Sequence, residues 1–308
     1  MSLFFSSLLI FVFGLAVGSF LNVAIYRLPG KKKIVKSRSC CPYCGKTLSW
    51  FELIPLISFI IQAGRCRRCR HRLSWQYPLV ELTTGLTFLS VFWRIILLEP
   101  TRIVFTAPLG LTAFWLYFLA FLWCFYGAIL IIVFVYDWKY YLIPDKIIFP
   151  AIMTAFAANF SLDVFPRLLN YSVLPTIELS GRFPFLTTSV NFDFLSSGIA
   201  AAFLFSSFFF VLFWISRGRW LGFGDVKLAI FLGLILGYPA VVVGAFWAFL
   251  IGSLVGLVLI FLKRKGFKSE IPFGPFLCLG TWLVFLFGFK FFEWYHSLPY
   301  TIIDYFNF

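Results

Sequence analysis

Apolar residues in this chain occur in long runs, and polar residues are gathered into the segments between them. Crossing a hydrocarbon core of about 30 Å takes about 20 helical residues. Eight runs are candidates: Leu3–Ile25, Tyr77–Leu98, Phe114–Val135, Ile147–Leu162, Ser196–Ile215, Val226–Leu236, Ala240–Leu262 and Phe273–Phe289. The pattern predicts an all-α polytopic membrane protein with about eight transmembrane helices. The sixth run is short, which indicates a tilted span or a re-entrant segment.

The composition agrees with this pattern and excludes other classes of protein. Of the 308 residues, 61% are hydrophobic and 12% are charged, and the mean hydropathy is +0.95. A soluble core of this size could not bury so much apolar surface. The same values exclude disordered, collagen-like and secreted disulfide-rich chains.

Basic residues mark one side of the predicted membrane. The chain has 26 Lys and Arg against 12 Asp and Glu, and 21 of the basic residues fall in the loops 27–76, 136–146, 216–227 and 263–272. Since basic loops stay in the cytoplasm, we expect a protein of the inner (cytoplasmic) membrane with an external N-terminus. This topology accounts for the net charge of +14, so the lipid bilayer is an expected partner and nucleic acid is not.

Three regions are predicted from these segments. Residues 1–27 are expected to be the first transmembrane helix, which stays uncleaved because its apolar run continues to Arg27. Residues 28–76 form a small cytoplasmic module that needs an additional stabilising element, such as a metal ion or a cross-link, because it cannot build its own hydrophobic core. Residues 77–308 form the remaining transmembrane domain, with an external loop at 163–195.

Four of the seven cysteines form two pairs with C-x2-C spacing, Cys41 with Cys44 and Cys66 with Cys69. Each pair offers two thiolates from one tight turn, which suits tetrahedral Zn²⁺. A cytoplasmic location argues against disulfides. Four thiolates leave no open coordination position, so a structural zinc is favoured over a catalytic one. An iron–sulfur cluster is the alternative.

The other three cysteines have less specific contexts. Cys40 adjoins the first pair and is an alternative metal ligand. Cys124 and Cys278 lie within predicted spans and are expected to be packing residues.

Two of the few acidic residues, Asp137 and Asp225, lie at the ends of predicted spans on the same side of the membrane. A charge at membrane depth costs several kcal/mol, which makes such residues functional candidates. Two carboxylates a few Å apart share a proton. The ionised one can then activate water while the protonated one donates to a scissile carbonyl. The alternative for Asp225 is a helix N-cap.

Residues near these aspartates also have predicted structural roles. Gly222 and Gly224 precede Asp225 and would allow close backbone approach beside it. The sequence Ile143-Pro144-Asp145 is typical of a helix start.

Several motifs, taken in order, resemble those of the type IV prepilin peptidases, a family of intramembrane aspartic proteases that are also N-methyltransferases. The resemblance covers nearly the whole chain. It runs through Gly18–Val23, the two cysteine pairs, Trp50–Leu56, Tyr77–Leu82, Asp137 to Asp145, Gly222–Leu228 and Pro272–Pro275.

The resemblance implies cleavage of basic leaders from type IV prepilins or type II secretion pseudopilins at the cytoplasmic face. Methylation of the new N-terminus would follow, with S-adenosylmethionine as donor. The implied catalytic residues are Asp137 and Asp225, supported by Gly222, Gly224 and Asp145. The implied zinc ligands are the four paired cysteines, and the implied methyl-transfer candidates are Glu52, Gly64 and Arg65. No glycine-rich loop identifies the S-adenosylmethionine site.

Two other hypotheses stay open. A relative that cleaves without methylating is one, because Leu53 and Arg65 differ from residues found in family members at these positions. A zinc-containing membrane transporter or scaffold is the other, because intramembrane acids also relay protons.

Overall fold

The computed structural model describes residues 2–29, 38–98, 109–168, 194–262 and 271–288. These residues form nine α-helices: α1 (Ser2–Arg27), α2 (Ile57–Ile61), α3 (Gln76–Val91), α4 (Leu109–Tyr140), α5 (Asp145–Leu168), α6 (Phe194–Ser216), α7 (Phe223–Leu236), α8 (Ala240–Phe261) and α9 (Gly274–Gly288). A 3₁₀ turn at Trp50–Leu53 and a π-helical segment at Phe92–Leu98 complete them. No β-strand occurs in the described ranges, and the predicted all-α architecture is confirmed.

Six of the helices are long and apolar enough to cross a membrane, and they match six of the eight predicted spans. Their membrane-compatible segments are Leu3–Arg27, Gln76–Ile96, Phe114–Tyr140, Asp145–Val164, Leu195–Ser216 and Ala240–Phe261. The other two predicted spans correspond to α7 and α9, which are shorter. The 14 residues of α7 extend about 21 Å, which is less than a hydrocarbon core.

Some predicted segments lie wholly or partly outside the described residues. Residues 30–37 of the basic module, 169–193 of the predicted external loop and 263–270 of the last basic loop belong to this group.

The chain divides into two compact units. Unit 1 comprises Met1–Leu98 and Phe114–Tyr136, and unit 2 comprises Glu99–Ala113 and Asp137–Phe308. The division falls within α4, whose last turn belongs to unit 2.

In unit 1, α1 packs closely against α3. A Cβ on Gly18 would lie 2.7 Å from the Cα of Glu81, and one on Gly14 would lie 2.8 Å from the Cα of Gly85. Small residues allow such approach between membrane helices, where dispersion contacts take the place of a hydrophobic driving force.

In unit 2, the short helix α7 packs against α5, α6 and α8. A Cβ on Gly233 would collide with the backbone of Ala202 on α6. From α5, the side-chain amide of Asn159 donates a 2.8 Å hydrogen bond to the carbonyl of Leu234. This packing places α7, with its N-terminal aspartate, among other helices of the unit.

Candidate active site and metal centre

Asp225 lies in the first turn of α7, where its side chain is 8% exposed. Its Oδ2 accepts a 3.2 Å hydrogen bond from the backbone N–H of Gly222. Gly222 is extended and holds the N-cap position. The N-cap alternative for Asp225 is therefore wrong, because the side chain reaches back from inside the helix.

Gly224 packs closely against the segment between α4 and α5. A Cβ at this position would lie 3.1 Å from the Cβ of Ile143, in the segment between α4 and α5. The glycine therefore lets the first turn of α7 approach the chain that follows Asp137.

Asp137 lies in the last turn of α4 and is 5% exposed. Its carboxylate accepts a hydrogen bond from the backbone N–H of Gly274, at the start of α9. A Cβ on Gly274 would lie 2.6 Å from Oδ2 of Asp137. The carboxylate therefore lies directly against the backbone of α9.

The two aspartates belong to one electrostatic cluster in unit 2. Asp137 and Asp225 interact with each other, and the buried thiol of Cys278 interacts with both. Two carboxylates that interact in this way repel each other when both are ionised. The arrangement can therefore hold a proton between a neutral and an ionised acid.

Asp145 lies outside this cluster, at the start of α5. Its Oδ1 forms a 2.6 Å ion pair with Nζ of Lys227, and the Asp145 side chain is 59% exposed. Nζ of Lys227 also lies 5.2 Å from the ring centre of Phe149 and 5.3 Å from that of Phe223. This pair connects α5 to the first turn of α7.

The four paired cysteines converge in unit 1, as the spacing predicted. Their sulfurs all lie within 4.8 Å of one another, with Cys41 to Cys69 at 3.9 Å and Cys44 to Cys66 at 4.0 Å. Tetrahedral Zn²⁺ with Zn–S bonds of about 2.3 Å needs sulfurs about 3.8 Å apart. The cluster therefore fits a four-coordinate metal ion, and Cys40 is not one of its members.

Hydrogen bonds and neighbouring sulfurs shift the pKa values of two of these thiols in opposite directions. Backbone N–H groups of Cys69 and Arg68 lower the pKa of Cys66 to about 6. The backbone N–H of His71 lowers the pKa of Cys69, but burial and the neighbouring sulfurs outweigh it and raise that pKa to about 11. Four sulfurs this close cannot all be thiolates unless a cation offsets their charge.

The three methyl-transfer candidates all lie in unit 1, where they line two depressions. Glu52 is buried, and the hydroxyl and the backbone N–H of Ser49 donate to its Oε2 at 2.6 and 2.9 Å, which lowers its pKa. It lines a cavity of about 520 Å³. Gly64, which has a φ of +65°, and Arg65 line a different depression. Phe59 and Leu73 line both depressions, and the roles of the three candidates in methyl transfer stay predictions.

Two residues of the aspartate cluster were not singled out for chemistry by sequence reasoning. Gly274 lies in the Pro272–Pro275 motif, which is part of the family resemblance but was given no specific role. Cys278 was assigned to packing, yet its buried thiol lies near both aspartates. Gly274 and Cys278 are four residues apart and therefore lie on one face of α9. This spacing is the sequence signal that could have indicated that both belong to the same site.

The fold and the site define a polytopic helical membrane protein with a buried aspartate pair and a four-cysteine cluster that could hold a metal ion. Two family models match the chain: the bacterial peptidase A24 N-terminal domain over residues 12–95, and the type IV leader peptidase family over residues 124–257. The chain belongs to the type IV leader peptidase family.

Individual relatives agree with this membership. A prepilin leader peptidase/N-methyltransferase of Bacillus subtilis is 32% identical over 91% of this chain and 94% of its own length. A protein of the same name from Aeromonas salmonicida is 29% identical over 96% of this chain and 94% of its own length. One from Myxococcus xanthus is 53% identical over 85 residues, which are 28% of this chain and 25% of that protein. No solved structure matches the chain.

Proposed function

We propose that this protein cleaves the basic leaders of type IV prepilins or type II secretion pseudopilins and then methylates the new N-terminus. The observation that carries the proposal is the buried pair Asp137 and Asp225, whose carboxylates interact at the ends of α4 and α7. Such a pair suits peptide hydrolysis by an aspartic mechanism. Curated relatives named for both activities, which match over most of the chain, support it further.

In the proposed cleavage, the ionised aspartate takes a proton from water and the protonated aspartate donates to the scissile carbonyl. The peptide must be unwound there, because a helical carbonyl is already hydrogen-bonded. Collapse of the tetrahedral intermediate breaks the C–N bond. The leaving amine takes a proton from the pair, and a hydroxyl of the intermediate returns one to the pair as the new carboxyl group forms. The backbone N–H groups of Gly222 and Gly274 hold the two carboxylates in position during this exchange.

Methyl transfer acts on the amine that cleavage creates, so it follows cleavage. The lone pair of the neutral amine attacks the methyl carbon of S-adenosylmethionine, and the carbon–sulfur bond breaks with its electrons going to sulfur. The products are a methylated ammonium and a neutral thioether. We assign this step to unit 1, and we assign the four-cysteine cluster to a structural zinc that stabilises residues 38–76.

The proposed orientation places both aspartates at the cytoplasmic face of the inner membrane. It rests on the concentration of basic residues in the loops on that side. A basic leader is repelled by those loops, so we expect anionic lipid headgroups and interfacial acids to attract it.

The test is mass analysis of a synthetic prepilin after incubation with the purified enzyme, with and without S-adenosylmethionine. We expect loss of the leader in both reactions and a gain of one methyl group only with the donor. Cleavage without methylation would favour the cleavage-only relative. An intact substrate in both reactions would favour the transporter or scaffold hypothesis.

We predict that Gly274→Ala slows leader cleavage by about tenfold or more, because the new methyl group would displace the Asp137 carboxylate from its position. The measurement is the initial cleavage rate on the same substrate. The matched control is Gly256→Ala on α8, where an added Cβ would only reach ordinary contact with Ile271 at 3.9 Å. Equal rates for both variants would contradict the proposed role of Gly274.

A further inference from the structure

A cavity of about 520 Å³ lies in unit 1, between the C-terminal half of α1, the start of α3 and the four-cysteine segment. All of its lining residues fall between Ser19 and Glu81. This volume lies within the range of about 300–1,000 Å³ that small-molecule sites occupy. The cavity has no part in the proposed chemistry of the aspartate pair.

Most of the cavity wall is apolar or aromatic. Residues of this kind come from α1, from the cysteine segment and from the start of α3, and they include Val23, Tyr26, Leu48, Leu53, Phe59 and Tyr77. A wall of this composition suits a flat heteroaromatic ring.

The wall also carries a small set of buried polar groups. Asn22 is 3% exposed, and its side-chain N–H donates to the carbonyl of Tyr77 at 3.0 Å. Its Oδ1 has no hydrogen-bond partner among the described residues. A buried acceptor without a partner is unfavourable, so this atom indicates a missing donor.

Two buried carboxylates line the same cavity. Glu81, at 8% exposure, accepts a 2.9 Å hydrogen bond from the backbone N–H of Leu56 and another from the hydroxyl of Ser19. Glu52, also at 8% exposure, is held by Ser49. The wall includes one buried cation, Arg27. Buried acids in a largely apolar wall favour a ligand that carries hydroxyls and positive charge.

We propose that this cavity is the binding site for S-adenosylmethionine, an inference that rests on the methyl transfer proposed above. Asn22 Oδ1 accepts an N–H group of the ligand. Glu52 and Glu81 face the ribose hydroxyls and the cationic part, much as acidic residues bind ribose in dinucleotide sites. Arg27 faces the carboxylate of the methionyl group, and the aromatic residues contact the adenine.

This assignment also accounts for the position of the cysteine cluster. Cys41 and Cys66 both line the cavity, and so do Cys40 and Pro42. The metal-held turns therefore form one wall of the binding site. A metal that shapes the wall supports methyl transfer without taking part in its chemistry.

The experiment measures binding of tritiated S-adenosylmethionine to the full-length protein in nanodiscs. The variants are Asn22→Leu, which removes the unpaired acceptor, and Glu81→Gln, which removes a buried acid while keeping an acceptor for Leu56. We expect the Kd to rise by about tenfold or more in each. The matched control is Asp163→Asn in unit 2, a buried acid that accepts from the backbone N–H of Leu195, and this variant should bind as the wild type does.

Two further readouts separate binding from folding. Each variant should keep the zinc content of the wild type, which shows that the cysteine segment is folded. In Glu81→Gln the affinity for S-adenosylmethionine should fall more than the affinity for S-adenosylhomocysteine, because the second ligand lacks the sulfonium charge. A purely structural defect would lower both affinities equally.

Photochemical cross-linking of the tritiated ligand to the wild-type protein provides an independent test. Label recovered in peptides from residues 19–81 supports the proposal, and label in residues 145–262 overturns it. Wild-type affinity in both variants overturns the proposal as well. A phospholipid that native mass spectrometry finds in unit 1, and that S-adenosylmethionine does not displace, also overturns it. If the wild-type protein neither binds S-adenosylmethionine nor methylates its product, the proposed methyltransferase activity is wrong. If the wild-type protein binds S-adenosylmethionine and both variants bind it equally well, only the assignment of this cavity is wrong.

Discussion

Asp137→Asn and Asp225→Asn are each expected to abolish leader cleavage, with rates lowered by on the order of 10³-fold or more. Both side chains are buried, and their carboxylates interact with each other. Asparagine has nearly the same volume as aspartate, but it can neither take a proton from water nor share one with its partner. Each substitution therefore removes the proposed chemistry and leaves the packing of α4 and α7 nearly unchanged.

The measurement is the initial rate of leader removal from a synthetic prepilin by each purified variant. Asp163→Asn is the matched control, because Asp163 is a buried acid of the same unit that accepts a hydrogen bond from the backbone of α6. It should cleave close to the wild-type rate. Near-normal cleavage by either Asp137→Asn or Asp225→Asn would exclude the aspartic mechanism.

Cys66→Ser is expected to lose the bound metal and to unfold the segment around it. Cys66 is buried, and its sulfur lies 4.0 Å from that of Cys44, inside a cluster that spans no more than 4.8 Å. Serine is a poor ligand for zinc, and the remaining three thiolates hold a metal less tightly. Because metal binding and folding are coupled in small modules of this kind, the described residues 38–76 should become sensitive to protease.

Zinc per chain and the rate of limited proteolysis measure this effect. Cys40→Ser is the matched control, since Cys40 adjoins the first cysteine pair but lies outside the cluster. It should keep the metal and resist protease as the wild type does. One tightly held zinc per chain in Cys66→Ser would refute the four-cysteine site. Cleavage by this variant should persist, because the aspartate pair belongs to unit 2.

The sequence determined the features that depend on local pattern. Long apolar runs predicted the six long membrane helices, because span length follows from the rise of a helix and the thickness of a bilayer. The C-x2-C spacing predicted the four-cysteine cluster, since two residues between cysteines are what a tight turn needs to present both sulfurs to one ion. The rarity of acids in apolar surroundings singled out Asp137 and Asp225.

Only the tertiary structure decided the contacts between residues far apart in the chain. Gly274 follows Asp137 by more than a hundred residues, and no local pattern indicates that its backbone N–H meets that carboxylate. The same holds for Asn22, whose amide N–H reaches the carbonyl of Tyr77, and for Glu81, which accepts from Leu56. Such contacts depend on how closely helices approach, and glycines such as Gly18 and Gly233 set that distance. A sequence lists these small residues, but which backbone each of them meets is fixed only when the helices pack.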